Sequence, residues 1–243
     1  MIDDLWLFIF LALIAEILGT IGGFGSSLFF VPIASYFLDF QTVLGITAVF
    51  HVMSNLSKIA LFRHGFDKKV IIYLGIPSVL FVILGSYCSK FIQPIYLKIA
   101  LSIFLIGISI LLFIFRNKTI KTTKWNTMFG GALSGLFAGL LGTGGAIRGA
   151  VLSSYNMKMQ VFIATSAVID LAIDASRAVV YYYNGYVNIK YLYLIPILLL
   201  ISILGSYIGK IILSKMSELQ FKNAVLIFIF LTGIITLYNI LFR

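Results

Sequence analysis

Thr47, His51, Asn55 and Lys58 recur at i, i+4, i+8 and i+11, a spacing that brings them onto one face of an α-helix. Further along the chain Ser166, Asp170, Asp174 and Arg177 repeat that spacing within equally apolar sequence. Ionisable groups in such surroundings are costly unless they face a protein interior, pair with one another or meet water. Two chemistries fit the stripes. Lys58 and Arg177 can attract an anion while Asp170 and Asp174 take up protons; alternatively the charges pair, as Asp174 and Arg177 can at i, i+3, and only hold helix register.

Two glycine runs form a second constellation: Gly19-Thr20-Ile21-Gly22-Gly23-Phe24-Gly25 and Gly139-Leu140-Leu141-Gly142-Thr143-Gly144-Gly145. A backbone that stops being helical inside a membrane is tolerated only where protein or a water-filled cavity satisfies it. A helix restarting near Ser26 or near Ala146 points free N–H groups and a positive dipole end back at the break, an anion-binding geometry. Gly22, Gly23, Gly25 and Ser26, with Gly142, Gly144 and Gly145, are therefore candidate substrate contacts. Gly19 and Gly23 also have the small-xxx-small spacing of plain helix packing, so that alternative stays open. Arg148 sits three residues past Gly145, where a cation opposes the helix dipole; a bound anion or a pair with Glu16 would compensate it. Glu16 reads first as a structural partner and second as a coupling site.

Enzyme chemistry is not visible. The chain has no HExxH helix, Walker loop or GxSxG elbow, and its two histidines and single cysteine, Cys88, suit neither a metal centre nor a disulfide. No cofactor is expected, and without an ATP loop any transport is secondary or driven by a separate ATPase.

These residues must be positioned by membrane helices. Of 243 residues 61% are hydrophobic and 11% charged, against about a quarter charged in a soluble domain. The net charge of +10 lies in short loops between apolar spans, where it sets topology and does not call for nucleic acid. Met1-Ile2-Asp3-Asp4 lacks the positive start of a signal peptide, so the first apolar segment is expected to be retained. Apolar runs between breakers fall at 5–18, 26–38, 43–62, 70–89, 95–115, 127–141, 146–155, 161–182, 190–210 and 219–241. The first, second, sixth and seventh are too short to span a bilayer comfortably.

The runs fall into an internal repeat of about 120 residues. Gly19, Gly22 and Gly25 match Gly139, Gly142 and Gly145; Ile83-Leu84-Gly85-Ser86-Tyr87 matches Ile203-Leu204-Gly205-Ser206-Tyr207, and Lys90 matches Lys210. Residues 5–38 as one helix would rise about 50 Å against a core of about 30 Å, which favours a hairpin at each glycine run. With hairpins and both termini outside, Arg63, Lys68, Lys69, Arg116, Lys118, Lys121, Lys124, Lys158, Lys210, Lys215 and Lys222 face the cytoplasm, leaving Lys90, Lys98, Lys190 and Arg243 outside. That split is eleven to four, and a broken-span arrangement reaches only nine to six. The positive-inside rule thus selects inverted repeats. Trp6, Tyr36 and Tyr181-Tyr182-Tyr183 are assigned to the outer interface and Trp125 to the inner one.

Gly22-Gly23-Phe24-Gly25-Ser26-Ser27-Leu28-Phe29-Phe30-Val31-Pro32 resembles the signature of the TauE/SafE sulfite exporter family, and the second glycine run is similar to that family's second copy. The resemblance covers essentially the whole chain. The second copy departs from it, with Arg148 early in its helix and Val151-Leu152 where Val31-Pro32 aligns. The resemblance implies a bacterial or archaeal inner-membrane permease for sulfite, sulfonates or related small organic anions.

The expectation is an all-α membrane protein with one transmembrane domain, 1–243, built from inverted repeats 1–120 and 121–243, each a glycine-broken hairpin plus three transmembrane helices. It exports a small anion by alternating access. The glycine-run residues named above, Arg148, Thr47, His51, Asn55 and Ser166 contact substrate, and Lys58, Asp170, Asp174, Arg177 and Glu16 carry charge or protons. Its partners are the anion and the bilayer, with a homo-oligomer compatible and no nucleic acid. The rivals are an anion channel and a non-transporting membrane assembly subunit.

Overall fold

Among the described residues of the computed structural model the longest helix, α9 (Met159–Tyr183), carries Ser166, Asp170, Asp174 and Arg177, and it lies along α3 (Phe40–Leu61), which carries Thr47, His51, Asn55 and Lys58. The two polar stripes therefore meet at the centre of the molecule. The structure describes residues 4–23, 25–63, 65–115, 121–155, 157–215, 227, 230, 231 and 233–238. Phe24, Arg116, Lys118, Lys222, Arg243 and most of the run 219–241 lie outside the described residues, as do residues 1–3 at the N-terminus.

Around this pair stand α1 (Leu5–Gly22) and α2 (Ser27–Phe37), then α4 (Lys68–Val70), which runs through a π-helical turn at Ile71–Gly75 into α5 (Ile76–Ser89). After these come α6 (Pro94–Ile114), α7 (Lys124–Leu141), α8 (Gly145–Ser153) and α10 (Leu194–Leu213). The starts are chemically marked. Asp39 accepts from Thr42 N at 2.9 Å, Thr123 accepts from Asn126 N at 3.2 Å, and Pro94 opens α6 where a missing N–H costs nothing. The π-helical turn precedes Pro77, whose ring removes a regular backbone bond and loosens the turn before it. Among the described residues no strand occurs, and five helices are long and apolar enough to cross a membrane. The chain is a multi-pass membrane protein.

Both glycine runs are chain reversals. Gly23 (φ 66°) ends α1 and Gly142 (φ 76°) ends α7, each in the left-handed region that glycine enters without a Cβ penalty. The sequence boundary of the first arm needs correction. The apolar run 5–18 extends as helix through Gly19 and Gly22, because helical glycine is only mildly unfavourable and Gly19 faces Ser26 so closely that a Cβ would collide with its backbone. The arms are consequently unequal. α1 and α7, each 18 residues, rise about 27 Å, while α2 with 11 and α8 with 9 rise about 16 and 14 Å.

Glycines also set the tightest helix crossing. Gly131, Gly135 and Gly139 share one face of α7, where a Cβ would strike the carbonyl oxygens of Leu74, Ser78 and Val82. Gly85 opens α5 reciprocally toward the Leu136 carbonyl, and Ser78 Oγ donates to Gly131 O at 3.0 Å. In the same manner α10 runs along α1, with Gly205 against Glu16 and Gly209 against Thr20. The long arm of each hairpin thus docks on a helix from the other half of the chain. Apolar side chains fill the remaining core, with Phe8, Phe30 and Phe50 in one cluster and Leu74, Val82 and Ile173 in another.

Trp6, Tyr36, Tyr182, Tyr183 and Trp125 are exposed, as residues at a membrane boundary can be. Tyr181 is not. It continues the stripe one turn past Arg177, is fully buried, and donates its phenol to Gly139 O at 2.7 Å.

Candidate functional site

The two stripes and the two breaks converge on one buried cavity. From the first break Gly25, Ser26 and Ser27 line it; from the second, Gly142, Gly144 and Gly145. α3 contributes His51, Ser54, Asn55 and Lys58, α8 contributes Arg148, and α9 contributes Asp170, Ile173, Asp174 and Arg177. A smaller adjoining space reaches Gly19, Thr20, Gly23, Ser166 and Ala167 and shares Gly25, Asn55, Lys58 and Asp170 with the first. The centre of a water-sized body has about 20 Å³ in the main cavity and about 10 Å³ in the smaller one. In this conformation they hold at most a few waters.

Each break is met by the other half. A Cβ on Gly25 would sit 3.6 Å from Arg148 Nη2, and Ser166 Oγ donates to Gly23 O at 3.5 Å. At the second break Arg177 Nη1 donates to Gly142 O at 2.7 Å and to Ala138 O at 3.2 Å, satisfying carbonyls at the end of α7. α2 and α8 begin at Ser27 and Gly145, within one residue of the restarts expected from the glycine pattern, so both helix N-termini face the cavity.

The charges are paired. Arg148 and Asp170 form a salt bridge, and Arg148 Nε also donates to Ser166 Oγ at 3.3 Å. Arg177 Nε lies 2.8 Å from Asp174 Oδ1, while Asn55 Nδ2 donates to Asp174 Oδ2 at 2.7 Å. Lys58 Nζ lies 2.9 Å from Glu16 Oε1. The sequence alternative that paired Arg148 with Glu16 is thereby corrected. Asp170 on the adjoining helix is the nearer carboxylate, and Glu16 is taken by Lys58. Three cations face three carboxylates, and the buried site is electrically balanced.

A hydrogen-bonded chain joins two of these pairs, Arg177–Asp174 and Lys58–Glu16. Arg177 Nη2 lies 3.3 Å from His51 Nδ1, and a guanidinium can only donate, so Nδ1 accepts. The His51 proton then sits on Nε2, which faces Ser26 Oγ at 3.0 Å. Ser26 Oγ in turn donates to Glu16 Oε2 at 2.6 Å.

Two candidates stand apart. Gly22 is the last residue of α1, and neither space reaches it. Thr47 is fully buried, lines neither space, and its hydroxyl has no partner among the described residues. Ser54, Thr20 and Ser206, which join the site or its wall, were not singled out by sequence. Ser54 was the most accessible of them, one turn before Lys58 and three residues after His51. Among the described residues no group of histidine, cysteine and carboxylate side chains is arranged to hold a metal.

Comparison with known proteins adds one match. The model of the family described as Sulfite exporter TauE/SafE matches residues 8–236. No curated protein and no solved structure matches the chain. The family match is nearly complete in coverage, and the chain belongs to the TauE/SafE family, a family of membrane transporters and not of enzymes.

Proposed function

We propose that this family member is a secondary transporter that exports a small anion, such as sulfite, a sulfonate or a related organic anion, by alternating access between two inverted repeats. The observation that carries the reading is the cavity itself. Two helix N-termini and the cations Lys58, Arg148 and Arg177 line one buried space in an otherwise apolar protein. Support for the repeats comes from packing, since α1 lies along α10 as α7 lies along α5, and α3 lies along its counterpart α9. The residues given above as substrate contacts keep that role, apart from Gly22 and Thr47, which line neither space. In this conformation the cavity has room for at most a few waters, so an anion enters as these leave and the helices around it part, as alternating access requires. Family membership favours a prokaryotic cytoplasmic membrane, and the charge distribution favours both termini outside.

Proteoliposomes loaded with sulfite and a panel of sulfonates test the function. The expected result is saturable efflux accelerated by the same anion on the opposite side. Efflux that rises linearly with gradient and shows no counterflow would make the protein a channel, and absence of flux across the panel would make it a non-transporting subunit.

A further inference from the structure

Glu16 is a fully buried carboxylate with an unusual surplus of donors. Its Oε1 receives Ser54 Oγ at 2.6 Å, Ser206 Oγ at 2.9 Å and Thr20 Oγ1 at 3.3 Å, with Lys58 Nζ at 2.9 Å. Four donors converge on an oxygen with two lone pairs, while Ser26 holds Oε2. Glu16 itself does not line the cavity, whereas Ser26, Ser54 and Lys58 do. It stands behind that part of the wall and decides which way the wall's hydrogens point.

Each hydroxyl has a single hydrogen. Ser54 Oγ accepts from Lys58 Nζ at 2.7 Å and spends its hydrogen on Glu16; Ser26 Oγ accepts from His51 and does the same. While Glu16 is a carboxylate, both hydroxyls turn only lone pairs to the cavity, and Lys58 is neutralised. Such a wall repels an anion.

We propose that Glu16 takes up a proton as the anion binds, and thereby turns Ser26, Ser54 and Lys58 from itself to the anion. The proposal rests on the transporter reading and deepens it. The proton comes from the bulk solution, released there by the buffer acid, and bonds to Glu16 Oε2, whose new O–H donates to Ser26 Oγ. Ser206 and Thr20 continue to satisfy Oε1. One negative charge enters with one positive charge, so the buried balance is kept, whereas an anion beside an ionised Glu16 would place two like charges in a dry interior. Lys58, and His51 through Ser26, are the charged or titratable groups facing Glu16 from α3. α2 and α10 present the hydroxyls of Ser26 and Ser206, and Arg148, Asp170, Asp174 and Arg177 face the cavity from the side of α8 and α9.

Calorimetric titration of the full chain with ethanesulfonate, a monoanion throughout the working range, in two buffers of different ionisation enthalpy tests this. The expected result is uptake of about one proton per anion near neutral pH, with affinity rising about tenfold per unit fall in pH. Glu16→Gln should bind with no proton uptake and a flat pH profile, and Glu16→Asp should restore uptake. Binding to the unmodified chain without uptake overturns the proposal whether or not the variants fold, and uptake that persists in Glu16→Gln overturns it as well. Absence of binding by both ethanesulfonate and sulfite removes the transporter reading, and this inference with it.

Discussion

Arg148 occupies the first turn of α8, against its helix dipole, and the salt bridge to Asp170 compensates it. Removing one partner leaves a buried charge alone, so Arg148→Gln or Asp170→Asn should each lower stability by about 3–5 kcal/mol. The double substitution should recover most of that loss in thermal unfolding, yet show none of the anion-dependent stabilisation of the unmodified protein. A double variant that anions still stabilise as strongly would remove Arg148 from the site. The anomalous position of Arg148 was legible in the sequence because a cation in that turn is out of place. Its partner was not: the sequence offered Glu16, and only the packing of α8 against α9 identifies Asp170. The hydroxyls of Thr20, Ser54 and Ser206 were illegible for a different reason. Serine or threonine occurs on every described α-helix longer than one turn, and only the shared acceptor distinguishes these three.

At the scale of elements, the breaks were readable because glycine clusters are rare within helices, but their register was not. Helix α1 runs on through Gly19 and Gly22, since close approach to Ser26 requires glycine at position 19 without requiring a bend. The α7 glycines are contacts within a continuous helix. At Gly135 a Cβ would meet the carbonyl of Ser78, a backbone atom that cannot rotate away. Gly135→Ala should therefore cost about 1–3 kcal/mol, as overpacking does. A methyl group added at Gly107 in α6 would meet nothing within 4 Å, and Gly107→Ala should be neutral or stabilise by up to about 1 kcal/mol. Thermal unfolding of the two variants in one detergent checks the contrast; equal effects would deny α5 and α7 their backbone contact.

At the scale of the whole molecule, the sequence charge rule makes a sidedness claim that the fold allows to be tested. Lys90 and Lys190 are exposed at one set of helix ends, and Lys68 and Lys158 are exposed as well. With Cys88 replaced by serine, single cysteines at 90 and 190 should react with a membrane-impermeant maleimide on intact cells, while those at 68 and 158 should react only after lysis. The reverse pattern would turn the protein over in the membrane, and mixed labelling within either pair would break the hairpin topology. Such global order is legible because it follows from summed charge and hydrophobic length. The meeting of α3 and α9 depends on long-range packing, which no local pattern encodes.

The docking of α1 on α10 and of α7 on α5 bears on descent. Were a chain of half this length to exist, the groove that receives its first helix would lie on a second copy. The ancestor of a duplicated gene would then have been an obligate dimer whose protomers exchanged arms, and fusion of the two genes would have freed assembly from its dependence on concentration. Fusion would also have let the two copies diverge, so that one could keep the Glu16 side chain against Gly205 while the other sets only the Leu136 backbone carbonyl against Gly85.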